Sequence, residues 1–247
     1  PSTLLLLMEG RAFYELGVLP LALPLLRRSP PGDGHPVLVL PGFLAGDAST
    51  VPLRLFLKRQ GYRAEGWRLG VNLGPKLGLR SKMLRRLKRL RKESGRRVSL
   101  IGWSLGGIYA RALARWAPDD VRSVITLGSP FTNNPKANHA WRLFEALTGI
   151  DVEKADPQSA GFNGHPLPVP STSIFSRSDG ISAWRCSLQE EDEKSENLEV
   201  RDGSHLGLGH NPLVLYAIAD RLAQPEGSFA RFDAPGVLKV LYPDPRR

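Results

Sequence analysis

Residues 98–107 read VSLIGWSLGG, and this stretch decides the fold. The run VSLI is apolar and rich in β-formers, and a helix-forming run begins at Leu105. Between them lies Gly102-Trp103-Ser104-Leu105-Gly106, a G-x-S-x-G pattern. A serine on a tight turn from strand to helix takes strained backbone angles, and the two glycines remove side chains that would collide across the turn. The pattern therefore predicts that Ser104 is a nucleophile beside the positive end of a helix.

Short β-rich runs alternate with longer helical patterns on both sides of this stretch. The predicted strands are 37–40, 62–67, 98–101, 121–127, 171–175 and 198–200, and the predicted helices are 51–60, 79–92, 105–116 and 212–223. This alternation predicts an open α/β fold, with a parallel sheet covered by helices on both faces. Ligands of such sheets collect at the carboxyl ends of the strands, so residues that follow a strand are the candidates for function.

The chain of 247 residues carries a formal net charge of +10, and the whole excess lies in one segment. The segment from Lys76 to Arg97 contains eleven Lys or Arg and one Glu. The remainder is electrically balanced, so we expect no nucleic-acid partner. Apolar residues at helical spacing predict a helix over 79–92 whose basic residues, Arg86 among them, point outward. We interpret this as a solvated face; contact with an anionic membrane surface is the alternative.

Cysteine content and hydropathy exclude other classes. A single cysteine, Cys186, rules out an intrachain disulfide framework and a multi-cysteine zinc site. The longest apolar stretch, 17–26, is about half the length of a membrane span and contains two prolines. We therefore expect a soluble or peripherally membrane-associated protein. The start at Pro1 rather than at methionine leaves open a preceding signal, anchor or tag.

Two segments fall outside the alternation. Residues 1–30 form a Leu-rich leader, with a possible helix over 4–16 followed by the proline-broken run LPLALPLLRR at 19–28. We expect this leader to pack on the core or near the site entrance, and a membrane-surface role is the alternative. Residues 130–168 follow a strand and contain one convincing helical pattern, at 137–147. An insertion of this length is a candidate lid.

Four further motifs extend the pattern: HPVLVLPGF at 35–43, TLGSPF at 126–131, SRSDGISAW at 176–184 and GSHLGLGHNP at 203–212. Together with GWSLGG at 102–107 they resemble the α/β-hydrolase superfamily, and within it the bacterial lipases and esterases. The resemblance covers nearly all of 36–223. It implies a mostly parallel sheet of about six strands flanked by helices, with a small helical lid. It also implies a triad in the chain order serine, acid, histidine, and no cofactor or metal.

That chain order leaves two candidate histidines and two candidate acids. We favour His205, on a glycine-bounded loop, over His210, which precedes the capping pair of the last helix. The acid implied by the resemblance is Asp179, which follows the strand at 171–175 and would hold the imidazole tautomer. Asp202 is its rival, although a residue three positions before His205 has difficulty reaching behind the ring.

Acyl-transfer enzymes also need donors for the oxyanion. The backbone N–H of Leu105, after the nucleophile, is the first donor by resemblance. The second comes from the loop after the first strand, where Phe43 is the best candidate and Leu44 stays open.

The serine at position 104 argues against those members of the superfamily that use aspartate or cysteine as the nucleophile. The resemblance therefore implies hydrolysis of carboxylic esters, small or lipid-like and possibly polymeric, through an acyl-enzyme. Acyl transfer and thioester hydrolysis are alternatives on the same triad, and a membrane-binding scaffold that uses the basic helix and the leader is an alternative from another class. We expect an apolar pocket for the acyl group beside the serine, and core packing is the alternative role of the residues expected to line it. These residues are Leu44, Trp103, Phe131, Trp141, Phe144, Ile181 and Trp184.

Overall fold

Six parallel strands form one sheet at the centre of the protein. A computed structural model describes residues 1–132, 136–149, 161 and 163–246. Neighbouring strands are parallel throughout, in the spatial order β2-β1-β3-β4-β5-β6. The strands are β1 (Pro36–Leu40), β2 (Arg63–Gly66), β3 (Val98–Trp103), β4 (Val121–Leu127), β5 (Ser171–Phe175) and β6 (Ser195–Glu199). This sheet confirms the α/β fold predicted from the alternation.

Helices cover both faces of the sheet. One face carries α2 (Ala12–Leu26), α3 (Val51–Arg59) and α7 (Pro212–Ala223), and the other carries α4 (Leu79–Ser94) and α5 (Leu105–Trp116). Alternate residues of β1 enter the two cores, because successive side chains of a strand point to opposite faces. Val37 and Val39 join the α3 and α7 side, whereas Leu38 and Leu40 join the α4 and α5 side. Burial on both faces explains why the strand reads as an uninterrupted apolar run.

The described residues also form shorter helices. Helix α1 (Thr3–Leu7) is joined to α2 by a 3-10 turn at Met8–Arg11, and α6 (Trp141–Thr148) lies in the predicted lid. Other 3-10 turns occur at Asp47–Thr50, Pro118–Asp120, Trp184–Ser187 and Gly236–Leu241.

The predicted proline break in the leader is wrong. Helix α2 continues through Pro20 and Pro24 and ends at Leu26, which is buried. Each proline removes an amide donor and leaves the carbonyl four residues earlier without its helical partner. Both prolines and Leu16 are exposed, so water can hydrate these carbonyls. The opposite side of the helix packs on α7, and this packing outweighs the local cost.

The basic helix α4 differs from its prediction at one residue. Arg86 does not point outward but is buried, and its guanidinium donates to the Gly66 carbonyl and to Glu65. Gly66 ends β2, which is an edge strand, and edge carbonyls need a partner outside the sheet. Arg86 supplies that partner while Met83, Leu87 and Leu90 pack on the core as predicted.

The leader and the basic helix lie on opposite faces of the sheet, since α2 packs with α7 and α4 packs with β1 and β3. Within the described ranges, no helix is both long and apolar enough to cross a bilayer.

A charged cluster surrounds His35 at the amino end of the sheet, opposite the carboxyl ends of the strands. His35 is fully buried, and its ring bonds Asp33 at 2.5 Å and the Ser99 hydroxyl at 2.9 Å. Burial, together with the charges of Arg122 and Arg96, lowers the pKa of His35 to about 4, although Asp33 opposes this shift. The buried imidazole is therefore neutral near pH 6.

We expect His35 to make the protein less stable in mild acid. Between pH 6.5 and 4 the unfolded chain binds a proton at this residue and the folded chain does not, so the free energy of unfolding falls by about 3 kcal/mol as the pH drops. His35→Gln should flatten this slope in urea unfolding measured from pH 7 to pH 4, whereas His139→Gln, at an exposed histidine, should keep it. If the free energy of unfolding changes equally with pH in His35→Gln and in the unmodified protein, His35 is not the cause of the acid sensitivity.

Candidate active site

Ser104 lies on the turn between β3 and α5 in a strained conformation. Its backbone angles are φ 53° and ψ −123°, and a non-glycine residue in such a region costs about 1–3 kcal/mol. The Ser104 amide donates to the Leu127 carbonyl on the neighbouring strand at 2.8 Å. This bond, together with the start of α5, fixes the turn and leaves the serine side chain only half-buried.

The turn requires close contact between backbones. A Cβ on Gly106 would lie 2.2 Å from the carbonyl oxygen of Leu40, and one on Gly102 would lie 2.3 Å from the carbonyl oxygen of Gly106. Such distances are sterically forbidden, so only glycine lets α5 approach β1 and β3 this closely. The glycines of the motif therefore determine the geometry of the serine.

Asp179 and His205 form a buried hydrogen-bonded pair. His205 Nδ1 and Asp179 Oδ2 are 2.6 Å apart, and each residue is 3% exposed. The other carboxylate oxygen, Oδ1, accepts from the amides of Ile181 and Ser182 at 2.9 and 2.7 Å. These bonds hold the carboxylate in one orientation behind the imidazole.

The rival residues lie elsewhere. Asp202 is exposed and sits at φ 55°, whereas the His210 ring bonds the Ala12 carbonyl of the leader at 2.9 Å. The next residue, Asn211, caps α7 by accepting from the amides of Leu213 and Val214. Of the four candidates, the structure brings together Asp179 and His205.

The imidazole lies beside the strand end that carries the serine. A Cβ on Gly128, directly after β4, would be 3.1 Å from His205 Nδ1, and the Trp103 indole donates to the His205 carbonyl at 3.0 Å. Among the described residues, the Ser104 hydroxyl forms no hydrogen bond with the His205 ring. Such bonds commonly tighten only when substrate is bound.

The charge of Asp179 changes the titration of His205. Burial of the ring disfavours its charged form, but the charge and hydrogen bond of Asp179, with a further contribution from Glu9, raise the pKa of His205 above its ordinary value. The pair therefore favours a protonated imidazole, which is the form that arises when a histidine accepts a serine proton.

The loop after β1 brings Phe43 to the pocket that Ser104 and Leu105 also line. The Leu44 amide donates to the Asn72 carbonyl at 2.7 Å, so it is engaged. The amides of Phe43 and Leu105 have no acceptor among the residues that the structure describes. Gly42 brings this loop next to the serine, since a Cβ there would be 3.3 Å from Ser104 Cβ. The geometry thus leaves Phe43, rather than Leu44, with a free donor.

Asn72, a residue that sequence reasoning missed, fixes this loop. Its side chain is completely buried, donates to the Pro41 carbonyl at 2.9 Å and accepts from the Gly74 amide at 3.2 Å. Its backbone also bonds Leu44 and Ala45. A lone asparagine between Val71 and Leu73 carries no motif, so the sequence offers no signal for this role.

An apolar pocket of about 70 Å³ opens directly beside Ser104. Three of the predicted pocket residues line it, and Phe43 joins them through a ring contact with Phe144 at 5.2 Å. The lining comprises Phe43, Leu105, Ile108, Pro130, Ala140, Trp141, Phe144 and Ile181, with Ser104, Asn138 and Ser182 as polar members.

The other four predicted pocket residues are not part of the lining. Leu44 is 44% exposed, because its positive φ turns it out of the loop. Trp103 is held in the core by its bond to His205, and Phe131 lies buried under the Arg111 guanidinium. Trp184 stacks on Phe175 at 5.6 Å. An aromatic residue next to a motif can equally serve the core.

The predicted lid can be described only in part. Of residues 130–168, positions 133–135, 150–160 and 162 lie outside the described residues. The described portion contains α6, which is shorter than the helical pattern at 137–147 and supplies Trp141 and Phe144 to the pocket. The residues before α6 pair with the loop of Asp179, since the His139 amide donates to the Ile181 carbonyl at 2.8 Å.

The described residues include no group of three or more His, Cys, Asp or Glu side chains arranged to hold a metal ion.

Comparisons with known proteins agree on the fold. Residues 79–182 match the family model described as "PGAP1-like alpha/beta domain"; this span, less than half of the chain, includes Ser104 and Asp179 and ends before His205. No protein of curated function matches the sequence.

Many solved structures resemble the chain. A lipase from Bacillus licheniformis has a TM-score of 0.58 at 14% identity, with 79% of this chain and 94% of that chain covered. A pyrethroid hydrolase from Sphingobium faniae has a TM-score of 0.54 at 20% identity, with 77% and 98% covered. Naproxen esterase from Bacillus subtilis has a TM-score of 0.52 at 16% identity, with 79% and 86% covered. The chain has the α/β-hydrolase fold, which confirms the resemblance seen in its sequence.

Gly106→Ala should destabilise the protein, because the new methyl group would meet the backbone oxygens of Leu40 and Pro41 at 2.2 and 2.7 Å. We expect a loss of about 1–3 kcal/mol or more in urea unfolding. Gly17→Ala is the matched control, since Gly17 lies in α2 with no atom within 4 Å of an added Cβ. It should be neutral or stabilising by up to about 1 kcal/mol. Equal effects of the two substitutions would refute the packing argument.

Proposed function

We propose that this protein is a serine hydrolase that cleaves carboxylic esters through an acyl-enzyme intermediate. The observation that carries the proposal is the buried Asp179–His205 pair at 2.6 Å, next to a serine in a strained turn. The amides of Phe43 and Leu105 support it, since both residues line the pocket with that serine and neither amide has an acceptor among the described residues. The structural likeness to esterases and lipases is consistent with the same chemistry.

In the proposed cycle, His205 removes the proton of Ser104 Oγ as that oxygen attacks the ester carbonyl. Asp179 holds the Nδ1–H and stabilises the imidazolium. The amides of Leu105 and Phe43 donate hydrogen bonds to the carbonyl oxygen as its negative charge develops, and a donor of this kind typically contributes about 3 kcal/mol. His205 then gives its proton to the leaving alcohol.

Water completes the reaction. His205 takes a proton from the attacking water, the bond between the acyl carbon and Ser104 Oγ breaks, and the proton passes to that oxygen as the carboxylic acid leaves. An alcohol in place of water would make the same cycle an acyl transfer. Product analysis with an added primary alcohol distinguishes the two outcomes.

The pocket indicates the acyl side of the substrate. Its walls are mainly aromatic and aliphatic, and its position beside Ser104 suits an apolar acyl group attached to the reacting carbonyl. Small-molecule or lipid-like esters are therefore the proposed substrates.

Ser104→Ala should lower the turnover of p-nitrophenyl esters by roughly 10⁵-fold or more, because it removes the nucleophile. Butyrate and laurate esters test short and long acyl groups. Ser228→Ala, at an exposed serine, should leave activity unchanged. A fluorophosphonate probe should label the unmodified protein at Ser104. If no ester is cleaved and Ser104 is not labelled, the proposed function is wrong.

Asp179→Asn should lower kcat by about 10³- to 10⁴-fold, since an amide cannot hold the required tautomer or stabilise the imidazolium. Asp202→Asn is the matched control, because Asp202 is exposed and asparagine tolerates its positive φ. It should retain nearly full activity. The reverse pattern of activities would transfer the role to Asp202.

A further inference from the structure

Two carboxylates of the leader bond the backbone of the loops that carry the candidate triad. Glu9 is 4% exposed and accepts three amides: Gly180 at 2.7 Å, His205 at 3.0 Å and Leu206 at 2.9 Å. Gly180 directly follows Asp179. One side chain, from the start of the sequence, therefore bonds both the acid loop and the histidine loop.

Glu15 and Arg11 extend this contact. Glu15 is 7% exposed and accepts from the Ser204 amide at 2.9 Å and from the Asn211 side chain at 2.7 Å. Arg11 donates to the carbonyls of Ser178 and Gly203 at 2.5 and 3.1 Å, and so also joins the two loops.

The loops are shaped to receive the leader. A Cβ on Gly180 would lie 2.2 Å from the carbonyl oxygen of Leu5, and one on Gly207 would lie 2.3 Å from the Glu15 carboxylate. Both loops thus have glycine where the leader comes closest. A buried carboxylate is costly unless it is fully hydrogen-bonded, and here the bonds come from the loops themselves.

We propose that Glu9 and Glu15 are positioning residues, which hold the Asp179 and His205 loops in the register needed for attack by Ser104. This inference rests on the proposed hydrolase function. Misplacement of a catalytic group by about 1 Å can cost roughly 100-fold in rate, so a brace on these loops bears directly on catalysis.

Glu9 also acts on the imidazole through its charge. Asp179 bonds the ring itself, and the other charged or titratable groups at the histidine loop are Glu9, Arg11 and Glu15 from the leader and His210, which bonds the leader from that loop. Burial disfavours protonation of the ring, Asp179 outweighs it, and Glu9 adds to the raised pKa of His205. Loss of the Glu9 charge should therefore lower that pKa.

The test compares Glu9→Gln and Glu15→Gln with Glu93→Gln, a matched change at an exposed glutamate on α4, across the sheet. We expect both leader variants to lower kcat about 10- to 100-fold with KM changed less than about threefold. Since the base form of His205 is neutral, Glu9→Gln should also shift the acid limb of kcat/KM to lower pH. Glu15→Gln should shift it less, and Glu93→Gln should change neither quantity.

Two outcomes would overturn the proposal. In one, Glu9→Gln keeps kcat within about twofold and leaves the acid limb in place. In the other, Glu9→Gln lowers Tm while the folded protein keeps its kcat and pH profile, which would assign a purely structural role.

Glu9→Asp keeps the charge on a shorter side chain, so it should restore the acid limb while kcat recovers only in part. If Glu9→Gln does not fold, Glu9→Asp and Glu15→Gln decide the question.

An NMR titration separates this proposal from the proposed function. If the unmodified protein neither cleaves esters nor reacts with the fluorophosphonate probe, the hydrolase function fails. The ring nitrogens of His205 still report its pKa without any substrate. A lower pKa in Glu9→Gln would support the charge coupling, and an unchanged pKa would refute it.

Discussion

The close approach of α5 to β1 and β3 is the constraint on which the candidate site depends. Gly106 brings the first turn of the helix against the Leu40 carbonyl, and this contact sets the strained backbone of Ser104. The order of the strands determines which loops lie near the serine, because β1 and β4 flank β3 and β5 follows β4. The loop after β1 therefore meets the serine from one side, and the loop with Asp179 approaches from the other. If a methyl group at position 106 pushed α5 away from β1, Ser104 would move away from both of these loops.

Features of the fold are readable from the sequence where the physical requirement is local. Strands buried on both faces must be apolar throughout, so runs such as 37–40 and 121–127 stand out from the helices between them. The turn at Ser104 is equally local, since its glycines lie within two residues of the serine. Asp179 and His205 required the chain order implied by the family resemblance, because neither sits in a pattern that specifies a catalytic role on its own.

Other features depend on contacts between distant parts of the chain. Arg86 has the spacing of an outward-facing residue, yet the edge of β2, twenty residues earlier, determines its burial. The prolines of α2 are tolerated because α7, near the other end of the chain, packs on the opposite side of the helix. Trp103 and Trp184 lie beside site motifs, but Trp103 is buried in the core and Trp184 stacks on Phe175. No local pattern encodes which distant residues a side chain contacts, and for the same reason the sequence did not predict the roles of Asn72 and Glu9.

The leader also bears on the order in which the protein is made. Its bonds from Glu9 and Glu15 reach amides 171 to 197 positions further along the chain. Synthesis proceeds from the amino terminus, so the leader leaves the ribosome before the loops that it bonds. A nascent chain that ends just after the Ser104 turn does not yet contain the histidine loop. The bonds between the leader and that loop therefore form late, as expected for contacts of such large sequence separation.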